Sequence, residues 1–524
     1  MALTGSRAPI ALGLPLTPVP ASRSHPPSLT STQRAAIDEL TLAAPVVDEL
    51  GELFAHAGHD LALVGGSVRD ALLGRLGNDL DFATSARPDE ILRITKQWRD
   101  SKWESGIAFG TVGLLKDGVR LEVTTYRFET YDTVSRKPDV VYGESLDEDL
   151  RRRDFAVNAM ALSVPDHVFH DPFGGAHDLA AHVLRTPGLP EDSFSDDPLR
   201  MMRAARFASQ LRFDVDPSVT IAMTAMAERI TKVSAERVRD ELSKLMCTAE
   251  PRRGLALLVD TGLADLVLPE LPKLRLESDE HFRHKDVYEH TLTVVEQAIA
   301  LEGDLADTDG AERRHTGGER RHTGAERREP DLVLRLAALL HDIGKPATRR
   351  KEPGGRVSFH HHEVVGAKMA KARLTALKYP KDVVADVSRL VELHLRFHGY
   401  GEGEWTDSAV RRYVRDAGPL LDRLHKLTRS DCTTRNKRRA AALSAAYDDL
   451  EERIEALREQ EQIDALRPEL DGYEISAVLG IPPGPDVGRA YRYLLELRLD
   501  AGPIGKDAAS AALRQWAAEH RVGG

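Results

Sequence analysis

Apolar residues recur at helical spacing from about residue 33 to residue 56, which predicts a helix leading into the first strand. Leu61-Ala-Leu-Val64 is uninterrupted and apolar, and it ends at Gly65-Gly66, the pattern of a short buried strand closed by a turn. A helix over 68–73 and a second strand over 80–82 follow. Residues 111–115 and 120–126 read as a hairpin across Lys116-Asp117-Gly118, with Asp-Gly as the turn signal. In its second arm Leu121, Val123 and Thr125 alternate with Glu122, Thr124 and Tyr126, which gives one dry and one wet face. After Ala156 the strand signals thin and the remainder is helix-like. The expected fold class is α+β: a small mixed sheet with helices, followed by all-α domains.

Two stretches break this pattern. The first 35 residues are rich in Pro, Ser and Thr, and their apolar part, 9–21, is interrupted by Pro15, Pro18 and Pro20, so they read as a disordered tail, not a signal peptide. Further on, Glu312-Arg-Arg-His-Thr-Gly317 recurs as Glu319-Arg-Arg-His-Thr-Gly324 and in part as Glu326-Arg-Arg-Glu329. The repeat is polar throughout and has no face to bury, so 303–330 is expected to be a disordered insertion between two helices.

A chain of 524 residues has room for roughly three or four domains. Its 41% apolar and 30% charged content is that of a globular protein, and no apolar run approaches the ~20 residues of a membrane helix. Cys247 and Cys432 are the only cysteines and form no CxxC pattern, so a disulfide framework or thiolate zinc site is not expected and a reducing cytoplasm fits. The net charge of −11 argues against a general nucleic-acid binder, yet basic clusters occur locally at Arg151–Arg153, at Arg200, Arg203 and Arg206, and at Arg435 and 437–439. Each cluster suits either phosphate or a solvated face.

The first chemistry lies in Val64-Gly65-Gly66-Ser67-Val68-Arg69-Asp70. Glycines between a strand and a helix let backbone N–H groups approach phosphate oxygens, and Arg69 near the helix start can pair with them. Asn78-Asp79-Leu80-Asp81-Phe82 follows. Residues i and i+2 of a strand share a face, so Asp79 and Asp81 project together and favour a hard cation such as Mg²⁺ between them. Glu122, in the alternating strand, is a candidate third carboxylate or else an exposed strand residue.

These segments resemble the head of the class II tRNA nucleotidyltransferase and bacterial poly(A) polymerase family. The resemblance continues in order through Arg152-Arg-Asp-Phe-Ala-Val-Asn-Ala-Met160, Asp171-Pro-Phe-Gly-Gly175, Asp196-Asp-Pro-Leu-Arg-Met-Met-Arg-Ala-Ala-Arg-Phe207 and Glu236-Arg-Val-Arg-Asp-Glu241, covering about 45–275. It implies a polymerase-β-like head and two metals on Asp79 and Asp81, with transfer of a nucleotide to an RNA 3′-hydroxyl and departure of pyrophosphate. Gly65, Gly66 and Arg69 would hold the triphosphate, and Arg153, Asp154 and Asn158 would lie near the ribose. One departure is Asp196, which stands where the family usually has Glu.

Base selection follows from hydrogen-bond chemistry. Asp197 and Arg200, expected at i and i+3 of one helix, present an acceptor beside a donor. Cytosine and adenine both offer an amino donor beside a ring acceptor; guanine and uracil offer the reverse and would leave groups unpaired at a cost of ~1–3 kcal/mol each. Arg203 and Arg206 would continue the face towards phosphates. The implied partners are tRNA, CTP and ATP, with no membrane; the oligomeric state is left open. Full CCA addition, partial addition of C or A, and poly(A) synthesis share all these motifs, the differences lying in loop geometry such as 131–142.

A second constellation, His290, His341-Asp342 and Asp431, resembles the H…HD…D order of HD-family metal phosphohydrolases. Imidazole and carboxylate suit a divalent metal, and His362 and His394 fit the dinuclear variants. The resemblance implies a phosphatase or 2′,3′-cyclic phosphodiesterase acting on RNA ends, or a retained metal-binding fold without turnover. The expected domains are the tail 1–35, head 36–175, helical neck 176–275, HD domain 276–440 with its insertion, and helical C-terminal tail 441–524. Leu470-Asp-Gly472 and Leu479-Gly-Ile-Pro-Pro-Gly-Pro-Asp-Val-Gly488 resemble the family's tail region, which implies a grip on the distal tRNA by shape and phosphates.

Overall fold

The computed structural model describes residues 30–31, 34–35, 44–75, 79–104, 106–107, 110–130, 139–143, 145–276, 286–307, 329–353, 357–397, 405–433, 436–461 and 467–522. Most of the N-terminal tail, most of the 303–330 repeat, the 131–138 part of the 131–142 loop, Arg435 and the side chains of Asp79 and Lys437 lie outside the described residues. Contacts divide the chain into two compact units, 1–181 and 182–524.

The first unit is built on a seven-stranded sheet. Its strands are β1 (Leu61–Val64), β2 (Asp79–Thr84), β3 (Ser101–Trp103), β4 (Thr111–Lys116) and β5 (Val119–Thr125), then, after a separate β6–β7 hairpin (Arg127–Thr130 and Asp139–Tyr142), β8 (Ala161–Ser163) and β9 (Val168–His170). The order is β3-β4-β5-β2-β1-β8-β9. All four residues of β1 are buried, as their unbroken apolarity requires of a central strand. The turn between β4 and β5 holds Asp117 at φ 50° and Gly118 at φ 80°, the left-handed pair a tight hairpin needs. β2 and β5 run parallel, while the neighbouring pairs are antiparallel. The short strands β8 and β9, which the thinning pattern after Ala156 did not predict, extend the other edge. The Val46–His56 helix carries Val47, Leu50 and Phe54 into the core, and Gly51 leaves space for close approach: a Cβ there would lie 2.9 Å from the Val164 backbone.

The second unit is helical, with only two-residue strand pairs among the described residues. The Leu199–Leu211 helix is nearly all buried, and it packs against the Ala235–Met246 and Pro251–Asp260 helices. Gly254 permits the second contact, because a Cβ there would sit 2.3 Å from the Ala205 carbonyl oxygen. Further along, the Val287–Asp307, Leu332–Leu340, His362–Ala376, Lys381–Leu393 and Leu421–Asp431 helices pack together. Arg335 ties this bundle to the preceding one: its guanidinium takes both oxygens of Glu302 (2.9 and 2.6 Å) and donates to the carbonyls of Met246 and Thr248 (2.8 Å each). The C-terminal helices Gly472–Leu479, Pro485–Ala501 and Lys506–His520 enclose Leu470, Ile475, Ala490, Leu494, Ala509 and Leu513. Among the described residues no helix is long and apolar enough to cross a membrane.

Candidate functional site

In the first unit, the parallel pairing of β2 with β5 sets Asp81 opposite Glu122 and Asp79 opposite Arg120. The side chains of Asp81 and Glu122 are both exposed, whereas their neighbours Leu80, Phe82, Leu121 and Val123 are buried. Adjacent in-register residues of a sheet project from the same face, so two carboxylates stand side by side on the wet surface. The glycine loop adjoins them: the Asp81 backbone N–H donates to Ser67 Oγ at 3.0 Å. Gly65 is left-handed at φ 70°, and a Cβ there would lie 2.6 Å from an Arg153 guanidinium nitrogen, so the glycine admits Arg153 against the loop.

Behind the loop is a polar network. Arg69, expected beside the triphosphate, is only 4% exposed and turns onto Asp70 through two hydrogen bonds (2.9 and 2.8 Å) and onto Asn158 Oδ1 (2.6 Å). Asn158 donates in turn to Asp154 Oδ1 at 2.9 Å, and both residues are buried. Asp149 lies beneath Arg153 and Arg152, at 3.1 and 2.7 Å. Burial pushes the Asp149 carboxyl up, but these guanidinium groups outweigh it and hold it below its ordinary value.

In the second unit, the residues expected to read the base have a different local geometry from the one their spacing suggests. Asp197 does not share a helix with Arg200: it is extended, at φ −140° and ψ 103°, after the Pro190–Asp196 helix, and Pro198 separates it from the Leu199–Leu211 helix. Proline disfavours the helical conformation in the residue before it, which places the break. Asp197 Oδ1 instead accepts from the Leu199 backbone N–H at 3.1 Å, and Oδ2 accepts from Arg237 at 2.7 Å. Arg200 donates to Ser193 Oγ at 3.0 Å. Arg203 and Arg206, expected to continue this face towards phosphate, both lie beside Glu241. Arg206 is 8% exposed and bound to Glu241 at 2.7 Å, and Arg203 lies 3.6 Å from the same carboxylate. Glu241 is buried, so it needs cationic partners, and these arginines supply them.

Still within the second unit, the HD-type residues converge. His290, His341 and Asp431 form one group and Asp342, His362 and His394 another, the ligand atoms of each lying within 4.8 Å of one another. Asp342 joins the two: one oxygen is 3.1 Å from His341 Nε2 and the other 3.3 Å from His362 Nε2. Asp431 Oδ1 is 2.9 Å from His290 Nε2. His341, His362 and His394 each direct Nδ1 to the backbone carbonyl three residues earlier, of Ala338, Phe359 and Val391, at 2.8, 2.9 and 2.7 Å. In the neutral ring, an Nδ1–H donated to that carbonyl leaves Nε2 with its lone pair towards the centre. These three Nε2 atoms are buried without a hydrogen-bond partner, an unfavourable state that a cation relieves. Burial opposes protonation of His341, but Asp342 and Asp431 raise it to about 9; burial and the charge of His341 lower His394 to about 3. Both carboxylates are held below their ordinary range despite burial, by the neighbouring histidines and, for Asp342, also by Lys345 at 2.9 Å. Lys345 and Thr433, whose Oγ1 lies 3.0 Å from His290 Nδ1, were not singled out from sequence; the Gly-Lys after His-Asp was the available signal for the first.

A sheet-borne carboxylate site beside a glycine loop, with a separate histidine-carboxylate centre, defines a two-centre class of nucleotide- and phosphate-handling protein, and comparison with known families agrees. Residues 61–185 match the poly A polymerase head domain, 212–274 the probable RNA and SrmB-binding site of polymerase A, and 287–436 the HD domain. The A-adding tRNA nucleotidyltransferase of Deinococcus radiodurans is 35% identical over 466 residues, 87% of this chain and 96% of that protein. A CCA-adding enzyme of Levilactobacillus brevis is 44% identical over 227 residues, 43% of this chain and 55% of that enzyme. The fold is similar to that of the Bacillus stearothermophilus CCA-adding enzyme in complex with CTP, with TM-score 0.62 and 24% identity over 94% of this chain and 99% of that one. The Thermotoga maritima CCA-adding enzyme complexed with tRNA gives TM-score 0.53 at 16% identity, over 92% and 98% of the two chains. The chain belongs to the tRNA nucleotidyltransferase and poly(A) polymerase family and carries an HD domain.

Proposed function

We propose that the protein is a CCA-adding enzyme: it extends the 3′ end of tRNA with C, C and A from CTP and ATP, releasing pyrophosphate at each step. The observation that carries this reading is the register pairing of Asp81 with Glu122, exposed together beside the glycine loop. With Asp79 they form the carboxylate set for divalent metal, Mg²⁺ by the hardness of its oxygen ligands. Metal held there would supply positive charge at the 3′-hydroxyl and the α-phosphate. Gly65 admits the Arg153 guanidinium against the loop, whose backbone N–H groups would meet the triphosphate, while Arg69, Asn158 and Asp154 form the hydrogen-bonded network behind it. Asp197 accepts from the amino group of cytosine or adenine and Arg200 donates to the ring acceptor. On this reading the work is divided among a head to 175, a neck to 275, an HD domain to 440 and a C-terminal tail for the body of the tRNA. The cytoplasm, where tRNA ends are built, is the proposed location.

Incubation with tRNA lacking its end, CTP, ATP and Mg²⁺ tests the reaction. One pyrophosphate is expected per nucleotide incorporated, and incorporation without pyrophosphate, or none, rejects it. The Deinococcus relative, which matches along most of the chain, favours a second reading in which only the terminal A is added. It requires that tRNA ending in CC be the sole substrate.

The buried, unpartnered Nε2 atoms support a further activity for the HD centre, hydrolysis of phosphate esters at RNA ends by one or two divalent metals. Release of phosphate from 3′-phosphorylated RNA, or opening of a 2′,3′-cyclic phosphate, tests it; metal retention without either product leaves a binding centre only.

A further inference from the structure

The base-reading role of Asp197 and Arg200 leaves unexplained what keeps the acceptor aimed. Asp197 stands on an extended residue between two helices, so its carboxylate has no helix face to define its direction. One oxygen is anchored by the Leu199 N–H and the other by Arg237. A carboxylate oxygen accepts more than one hydrogen bond, so each anchored oxygen can still receive a donor from a base. Arg237 extends from the first turn of the Ala235–Met246 helix, whose N-cap Ser234 accepts from the Arg237 backbone N–H at 3.4 Å. One turn on, Glu241 of the same helix grips Arg206.

These two ion pairs differ in kind. The Arg206–Glu241 pair is buried and braces the helices. In the other pair Arg237 is 53% exposed and Asp197 19%, and a pair that open contributes little to stability. Bracing therefore accounts poorly for Arg237, whereas orientation of Asp197 accounts for it well. Resting on the nucleotide-transfer reading, we propose that Arg237 is a positioning residue for base selection: it fixes the Asp197 carboxylate so that an oxygen lone pair meets the amino group that cytosine and adenine share. Released from Arg237, the carboxylate rotates, and the penalty against guanine and uracil shrinks because it no longer faces their carbonyl oxygens.

The test uses the full chain carrying Arg237→Ala or Arg237→Lys. KM and kcat for CTP and ATP are measured on tRNA lacking its end, with incorporation of UTP and GTP, melting temperature and tRNA affinity in parallel. For Arg237→Ala, the nucleotide KM and the ratio of wrong to right incorporation should each rise about tenfold, with melting temperature and tRNA affinity unchanged. Lysine, which keeps the charge but not the fork, should recover part of the selectivity. Unchanged selectivity in Arg237→Ala, or an equal fall in kcat for all four nucleotides, overturns the role. A wild-type protein that extends no tRNA end overturns the transfer reading itself, and this inference with it.

Discussion

Asp81 and Glu122 are direct register partners across the parallel pair β2–β5, and both carboxylates are exposed while the residues flanking them are buried. Like charges so placed on one face repel, so a cation between them offsets the repulsion. Asp81→Ala should therefore lower nucleotide incorporation about a thousandfold, the scale of losing an electrostatic element of a transition state, with tRNA affinity unchanged. Glu122→Gln should lower it less and raise the Mg²⁺ concentration for half-maximal rate. Single-turnover incorporation against Mg²⁺ checks both, and normal rates in Asp81→Ala would remove the metal assignment.

Asp149 stabilises the head through Arg152 and Arg153. Its folded-state value lies below the ordinary 3.8, so this stabilisation is fully present above that value and is lost as pH falls through the folded-state value. Asp149→Asn should cost about 2–3 kcal/mol at neutral pH, less than a fully buried pair because both arginines keep some access to water. The difference from wild type should narrow as the medium is made more acid than the ordinary carboxylate range. Urea unfolding of the two proteins across that pH range measures it, and a pH-independent gap would contradict it.

Strand and turn identity in the head was legible because it is local: the apolar run at 61–64, the Asp117-Gly118 turn and the alternation around Glu122 each need only neighbouring residues. The partnership of Asp81 with Glu122 was not legible, since register between strands far apart in sequence depends on the whole sheet. The placing of Asp197 and Arg200 on one helix face failed at Pro198, whose effect on the residue before it outweighed the i, i+3 spacing. The ion pair of Arg206 with Glu241 was not legible, because Glu241 is buried from another helix and burial of that carboxylate cannot be read from a run of arginines. His290, His341, Asp342 and Asp431 were legible by their order, and His362 and His394 by the resemblance to dinuclear variants, but the bridging position of Asp342 and the nearby Lys345 emerge only when five helices converge.

The histidine-carboxylate centre should retain up to two transition-metal ions per chain through gel filtration, one for each group. His362→Ala should lower this towards one, and Asp342→Asn, which weakens both groups, further still. Elemental analysis gives the stoichiometry; a single ion in wild type, unaffected by His362→Ala, would reduce the centre to His290, His341 and Asp431 with Asp342.

Gly344 sets the spacing of that centre. A Cβ there would lie 2.1 Å from the His362 carbonyl oxygen and 2.7 Å from the Gly366 nitrogen, both backbone atoms that cannot yield cheaply. Gly344→Ala should force the His362–Ala376 helix away from His341 and Asp342 and release metal, while nucleotide transfer by the head persists. Metal content alongside incorporation rate separates the two effects, and full metal retention would contradict the tight approach.

Arg335 is buried, 4% exposed, with Glu302 and two carbonyls as partners. Arg335→Ala should destabilise the second unit by about 3 kcal/mol, since Glu302 and the Met246 and Thr248 carbonyls lose their shared donor. Chemical denaturation followed by the fluorescence of Trp405 and Trp516 in that unit measures the loss, and a change below about 1 kcal/mol would mark the pair as dispensable.

The sequence of the 3′ end that the protein builds is the most direct test of all. Given tRNA truncated before its terminal trinucleotide, with all four nucleoside triphosphates and Mg²⁺ present, the products should end in C, C and A and grow no further. No growth of that truncated end with A added only to tRNA already ending in CC, or unlimited runs of A, would contradict full CCA addition, and ends carrying G and U in proportion to supply would contradict base reading by Asp197 and Arg200 as described.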